Sequence, residues 1–159
     1  MNYIIRPIEE RDNAAVEQVI RTCLIEFGGN HDGLAWSDPD LGIFSIVYSK
    51  PGTKYWVVEE ENGTIVGGSG IGPLPGAQGV CELQKMYCLK QARGTGAAEK
   101  LMELCLSFAK EHYQRCYLET LSNMTAANYF YLKHGFERLQ QPLLPTDHYA
   151  CDVWYVKDL

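Results

Sequence analysis

Apolar residues recur along the chain with two periods, and the switches between them set the order of elements. Tyr3-Ile4-Ile5 ahead of Pro7 reads as a short opening strand. Asp12 stands as an N-cap, and Val16, Val19, Ile20, Cys23, Leu24 and Phe27 follow at helical spacing until Gly28-Gly29 stops the run. The next stretch is irregular apart from Leu41 to Tyr48, which suits a second short helix. Tyr55-Trp56-Val57-Val58 is a strand, Asn62-Gly63 a hairpin turn, and Thr64-Ile65-Val66 begins the returning strand. Pro73, Pro75, Gly76 and Gly79 mark another turn before a long strand from Val80 to Leu89. Gln91 to Gly96 is a tight loop that opens a helix running to about His112. Ala97, Leu101, Leu104, Cys105 and Phe108 form its apolar face, with Glu99, Lys100, Glu103 and Lys110 outside. Cys116 to Thr120 is a strand, Thr125 to His134 a helix closed by Gly135, and Phe136–Leu139 with Ala150–Val156 a final strand pair. The order β-α-α-β-β-β-α-β-α-β-β, without repeat or linker, predicts one mixed α/β domain over residues 1–159.

Composition narrows the class. With 46% hydrophobic and 21% charged residues the chain is of ordinary globular type, and 159 residues bury enough surface to need no disulfide or metal staple. Fourteen basic against twenty acidic residues leave a net charge of −6. That excludes a general nucleic-acid or anionic-membrane binder but leaves room for a local pocket taking one phosphorylated ligand. The cysteines (Cys23, Cys81, Cys88, Cys105, Cys116, Cys151) show no C-x-x-C pair and no zinc spacing, so no metal is expected. They read as reduced core residues of a cytoplasmic protein. The N-terminus has no signal-peptide run. Asn62 to Cys81 carries no charge, but its seven glycines and two prolines exclude a membrane span.

The chemistry concentrates in Met86 to Ala98, where a strand runs through a glycine-bearing loop into an amphipathic helix. N–H groups at a helix start are unpaired and the dipole adds partial positive charge, so the place suits an anion if the backbone can approach. Gly94 and Gly96 remove blocking side chains, Ala97 and Ala98 keep the first turn lean, and Arg93 offers a charge-assisted contact. The Gly-Lys-Ser/Thr of a Walker loop is absent, and Glu99 stands where a dinucleotide fingerprint needs glycine or alanine.

Gln91-Ala92-Arg93-Gly94-Thr95-Gly96 resembles the Q/R-x-x-G-x-G/A signature of the GNAT acyltransferase superfamily. Ala127-Asn128-Tyr129-Phe130-Tyr131-Leu132-Lys133-His134-Gly135-Phe136 is similar to that family's A-x-x-x-Y-x-x-x-G-F segment. Ile5-Arg6-Pro7 followed by Asp12 is similar to family N-termini. The resemblance implies a central mixed sheet of about six to seven strands flanked by about four helices. It implies an N-acetyltransferase that moves the acetyl group of acetyl-CoA to an amine of a small molecule or peptide, by direct attack in a ternary complex. A non-catalytic acyl-CoA sensor, a different acyl donor and an acceptor oxygen stay open as alternatives. A homodimer through the Gly-rich third strand or the last strands is a further expectation.

Carried over by residue, the resemblance assigns the coenzyme pyrophosphate to Gln91, Arg93, Gly94, Thr95, Gly96, Ala97 and Ala98, chiefly through main-chain N–H. It assigns the pantetheine arm to the backbone of Met86, Tyr87 and Cys88, an amide near Cys88 polarising the thioester carbonyl. Asn123 or Asn128 would bond the pantetheine amides. Tyr131 would protonate the leaving thiolate, and Glu82, with Glu119 as the substitute, would take the proton of an ammonium acceptor. A cysteine acyl-enzyme at Cys88 would need an activating base, and no histidine stands nearby in sequence. The acceptor region would be drawn from His31, Asp32, Trp36, Asp38, Asp40 and Tyr48 with Asp147, His148 and Tyr149, whose carboxylates suit a cationic amine.

Overall fold

A computed structural model describes residues 2–159. Strand β1 (Tyr3–Pro7) leads through a short 3-10 turn at Glu10–Asp12 into helix α1 (Asn13–Glu26), and helix α2 (Phe44–Val47) follows. Strands β2 (Lys54–Glu60), β3 (Ile65–Pro73) and β4 (Val80–Cys88) form a meander. Helix α3 (Ala97–His112), strand β5 (Arg115–Thr120), helix α4 (Thr125–Lys133) and strands β6 (Glu137–Leu139) and β7 (Val153–Asp158) complete the order that the sequence predicts.

The seven strands make one sheet in the order β1-β2-β3-β4-β5-β7-β6. Only β4 and β5 run parallel. Alternation along β2 sends Val57 to a cluster with Val16, Ile20 and Phe44, while Trp56 and Val58 join Leu101, Cys105 and Tyr131 in another. The sheet is thus a shared wall between two cores, with α1 and α2 contributing to one and α3 and α4 to the other.

Three expectations change. Asp12 does not cap α1 with its side chain. Its carboxylate accepts from the Glu9 N–H at 2.8 Å and from Arg6 at 2.7 and 2.9 Å. A short acidic side chain bonds whichever donors the turn offers, and here they are the partly buried Arg6 guanidinium and the Glu9 N–H rather than the first helical amides. Leu104 is exposed on α3, and Met102 is buried instead, because the inward stripe runs Ala97, Leu101, Met102, Cys105, Ala109. The Gly-rich third strand is paired on both sides within the sheet, so it offers no edge to a second copy.

Helices α1 and α4 end alike. The Gly28 N–H bonds the Ile25 carbonyl and the Gly29 N–H that of Leu24; the Gly135 N–H bonds Leu132 and the Phe136 N–H bonds Tyr131. Gly28 and Gly135 hold φ of +72° and +87°. Both are Schellman stops. In the second, the Phe136 ring lies against Tyr131 with centroids 6.2 Å apart, so the Gly-Phe pair fixes the tyrosine. No helix among the described residues is long and apolar enough to cross a membrane.

A candidate active site in the gap between two parallel strands

β4 and β5 pair only from Val80↔Arg115 to Glu82↔Tyr117 and then part. Just beyond the last pair, β4 bulges. Between Gly68 and Gly70 the partner on β4 moves from Tyr87 to Gln84, one residue more than a regular ladder allows. Lys85 takes up the kink with φ of +50°, and Tyr55 anchors it by donating to the Lys85 carbonyl at 2.8 Å. The Tyr55 ring lies across Gly68 and Gly70, where a Cβ would come within 2.6 Å of it. The uncharged glycine run therefore makes room for the ring that holds the bulge open.

One mouth of the gap is a cleft of about 300 Å³ lined by Met86, Tyr87, Cys88, Gly94, Ala98 and Phe130, among others. The loop before α3 forms its rim. Gly94 and Gly96 hold φ of +74° and +87°, and a Cβ on Gly94 would project into open space. Thr95 donates from its hydroxyl to the Ala92 carbonyl at 2.5 Å and accepts from the Ala97 N–H at 3.3 Å, which locks the loop onto the helix start. Helix α3 thus aims the open amides of its first turn and its positive dipole end at this rim. Arg93 is already engaged, donating to Glu26 at 2.8 and 2.9 Å and to the Cys88 carbonyl at 3.0 Å. The Arg93 bond holds the Glu26 carboxyl below its usual value. Main chain rather than guanidinium is what this rim offers an anion. Gln91, beside it, is exposed.

Tyr131 lines both the cleft and the gap. It is buried. Burial raises its pKa, which keeps it a phenol. Burial also pushes the Cys88 thiol up to about 12, so it is a poor nucleophile at neutral pH. The two asparagines have other partners. Asn128 donates to the Leu121 and Met124 carbonyls at 2.9 and 2.8 Å and accepts from the Tyr155 hydroxyl at 2.7 Å. Asn123 donates to the Phe27 carbonyl at 2.7 Å, tying α4 to the end of α1. All three Asn128 bonds are made within the protein, and the single Asn123 bond joins two chain segments.

The other mouth opens into a cavity of about 590 Å³ lined by charged side chains. Glu82 and Glu119 stand on neighbouring strands. Burial is the main influence raising the Glu82 pKa; Gln84 opposes it by hydrogen bonding and Glu119 adds to it. Glu119 accepts from Thr146 at 2.7 Å and from Tyr117 at 3.1 Å. Across the cavity, Lys85 Nζ lies 2.7 Å from Asp38 Oδ2, and His148 Nε2 lies 2.9 and 3.0 Å from the two Asp38 oxygens. Burial works to raise the Asp38 pKa, but His148 and Lys85 outweigh it and hold the carboxyl below its ordinary value. Asp38, Asp40, Tyr48, Asp147 and His148 from the expected acceptor region line this cavity. His31, Asp32 and Trp36 do not. Asp32 accepts from Ser37, Trp36 packs under Arg21, and Tyr149 lies exposed against Gly33. Sequence reasoning passed over Lys85 and Gln84. Gln84 was findable, since two residues along a strand from Glu82 is the same face; Lys85 had no signal, because a lysine does not announce a positive φ.

Comparison with known proteins gives a consistent family. The sequence model described as the acetyltransferase (GNAT) domain matches residues 51–138. The uncharacterized N-acetyltransferase YjgM of Escherichia coli strain K12 is 42% identical, over 98% of this chain and 95% of that one. Among solved structures, an acetyltransferase of the GNAT family from Staphylococcus aureus Mu50 superposes with a TM-score of 0.87 at 23% identity, covering 99% of both chains. The PaiA N-acetyltransferase of Thermoplasma acidophilum, solved in complex with coenzyme A, gives 0.75 at 16% identity over 100% of both.

Proposed function

The chain belongs to the GNAT acetyltransferases, and from that premise we propose that it moves the acetyl group of acetyl-CoA to an amine by direct attack. The observation that carries the reading is the gap past Glu82, whose lining residues are shared with an amide-rimmed apolar cleft on one side and a charged cavity on the other. Two substrates entering from opposite mouths would meet between the two strands.

The cleft fits a coenzyme with a phosphate head and a thin apolar arm. Gly94 leaves open space in front of an amide cluster, and the neighbouring walls are Met86, Ala98, Ala127 and Phe130. When bound, acetyl-CoA supplies the activated acyl group and a thiolate leaving group. The rim from Arg93 to Ala98 would hold the pyrophosphate by main-chain N–H, while Met86, Tyr87 and Cys88 offer a strand edge that β5 has left unpaired. Tyr131 holds its proton on Oη beside the cleft and would give it to the departing sulfur. Glu82 would take the acceptor's ammonium proton on a carboxylate oxygen, freeing the nitrogen lone pair to attack. Its raised pKa suits that task near neutral pH. Direct attack is favoured over an acyl-cysteine because Cys88 is held as a thiol. All six cysteines are free, which supports a reducing compartment such as the cytoplasm. One sheet carries both mouths, and we take residues 1–159 as a single domain.

The test is calorimetric titration with acetyl-CoA, with free coenzyme A as control, followed by a screen of primary amines reading thiol release. Saturable binding with amine-dependent release is the expected result. Absence of binding by folded protein overturns the transferase reading, and binding without release on any amine makes the protein an acyl-CoA sensor.

A further inference from the structure

Glu82 does not hang free in the cavity. Gln84, on the same face of β4, donates from Nε2 to Glu82 Oε1 at 2.8 Å. Tyr48, just past α2, donates from its hydroxyl to Gln84 Oε1 at 2.8 Å. A carboxamide has one accepting end and one donating end, so a hydroxyl on the oxygen turns the NH2 group to the carboxylate. Gly72, paired with Glu82 across the β3–β4 ladder, leaves space for this arrangement; a Cβ there would stand 2.7 Å from Gln84 Oε1. Tyr48 is itself buried, its ring 5.2 Å from Phe44 and 5.1 Å from Tyr55. The chain from Tyr48 through Gln84 to Glu82 is anchored at its far end in the core.

We propose that Gln84 is a positioning residue for the transfer reaction: it holds Glu82 by Oε1 and leaves Oε2 to take the acceptor's proton, with Tyr48 and Gly72 setting the direction of the amide. This rests on Glu82 as the proton acceptor. A carboxylate gripped at one oxygen loses rotational freedom and presents the other in a fixed place, which is how orientation lowers a barrier. The same donor favours the charged form that a base must have before it acts. The other titratable groups acting with Glu82 are Glu119 and Tyr117 from β5, Lys85 from β4, Tyr48 beside α2, and His148 and Cys151 from residues 140–152. They are the same in wild type and in Gln84→Leu, so the difference between the two isolates the amide.

Carboxyl-carbon NMR of the free protein tests this without any ligand, with the Glu82 signal assigned by its loss in Glu82→Gln. In Gln84→Leu, which keeps the bulk, the Glu82 midpoint rises by about one pH unit, the effect of removing a hydrogen bond to a charged group. Tyr48→Phe moves it less and in the same direction. With acetyl-CoA and the amine that gives fastest thiol release, the acidic limb of kcat/KM for the amine rises alongside, and KM for acetyl-CoA holds. A midpoint that stays put in folded Gln84→Leu and Tyr48→Phe overturns the proposal; should Gln84→Leu not fold, Tyr48→Phe decides alone. Full activity in Glu82→Gln overturns the proton-acceptor reading and this inference with it. If Glu82→Gln loses activity while the limb in Gln84→Leu is unmoved, this inference alone falls.

Discussion

On the cleft side of the gap the protein presents main chain: the amides around Gly94 and Gly96, the unpaired edge of β4, and an apolar wall. On the cavity side it presents side chains: Glu82 held by Gln84, and Asp38 held by Lys85 and His148. The first arrangement depends on backbone conformation and so on a few glycines in fixed order. The second depends on groups from distant parts of the chain meeting, and it can change composition without disturbing the loop. A main-chain site suits a substrate common to a whole family, and a side-chain site suits the partner that differs from member to member.

Substitutions on the two sides should therefore fail in different ways. The largest effect is expected from Glu82→Gln, which removes the proposed proton acceptor while keeping the shape. Amine-dependent turnover should fall by about a hundredfold to ten-thousandfold, the usual range for a lost general base, while calorimetry still finds acetyl-CoA binding. Equal loss of both would erase the distinction between the mouths. Next comes the double replacement of Gly94 and Gly96 by valine. Each position has left-handed backbone, which costs an L-residue about 1–2 kcal/mol, and a Cβ on Gly94 fills the open space at the rim. That strain lowers stability; relieving it moves the loop amides off their aim, and coenzyme affinity should then drop by about a hundredfold, the equivalent of roughly 2.8 kcal/mol. Tm would show whether folding survives.

Tyr131→Phe belongs between the two sides. A thiol of ordinary pKa, about 8.5, leaves readily, so losing the proposed proton donor should lower kcat by only about tenfold. Binding of acetyl-CoA is expected to hold, since the ring and its contact with Phe136 remain. Unchanged kcat with unchanged binding would return Tyr131 to a packing role.

The same contrast explains what could be read from the sequence. Both Schellman stops, the element order and the glycine loop are local, because each is set by residues within one turn of each other. Tyr131 followed by Gly135-Phe136 was legible for that reason. Asp12 was misassigned since an N-cap and a partner for Arg6 look alike until the guanidinium is placed. The glycines of β3 were visible as a run, but their purpose, the Tyr55 ring and the Lys85 bulge, lies on two other strands. Asp38 and His148 lie 110 residues apart, and no periodicity joins them. Asn128 was read only as a candidate for a pantetheine amide, and its bond from Tyr155 joins α4 to β7, a pairing that no local pattern shows.

The smallest effect isolates the cavity side. Asp38→Asn leaves the Lys85 ammonium, largely buried, without its anion, and loosens residues 140–152 through His148. The loss should be about 1–3 kcal/mol, the range for hydrogen bonds to charged groups. KM for the amine should rise several-fold, with acetyl-CoA affinity untouched. Its pH dependence has a definite sign. Asp38 has a depressed pKa in the folded protein, so its contribution is fully present above the ordinary aspartate value, about 3.9, and is lost as pH falls through the folded value. Urea titrations of wild type and variant should therefore differ at neutral pH and converge as the pH falls below the ordinary aspartate value of about 3.9. A gap that stays constant into strong acid would mean that the asparagine harms packing rather than removing a charge, and the cavity side would then owe its shape to the same kind of backbone constraint as the cleft.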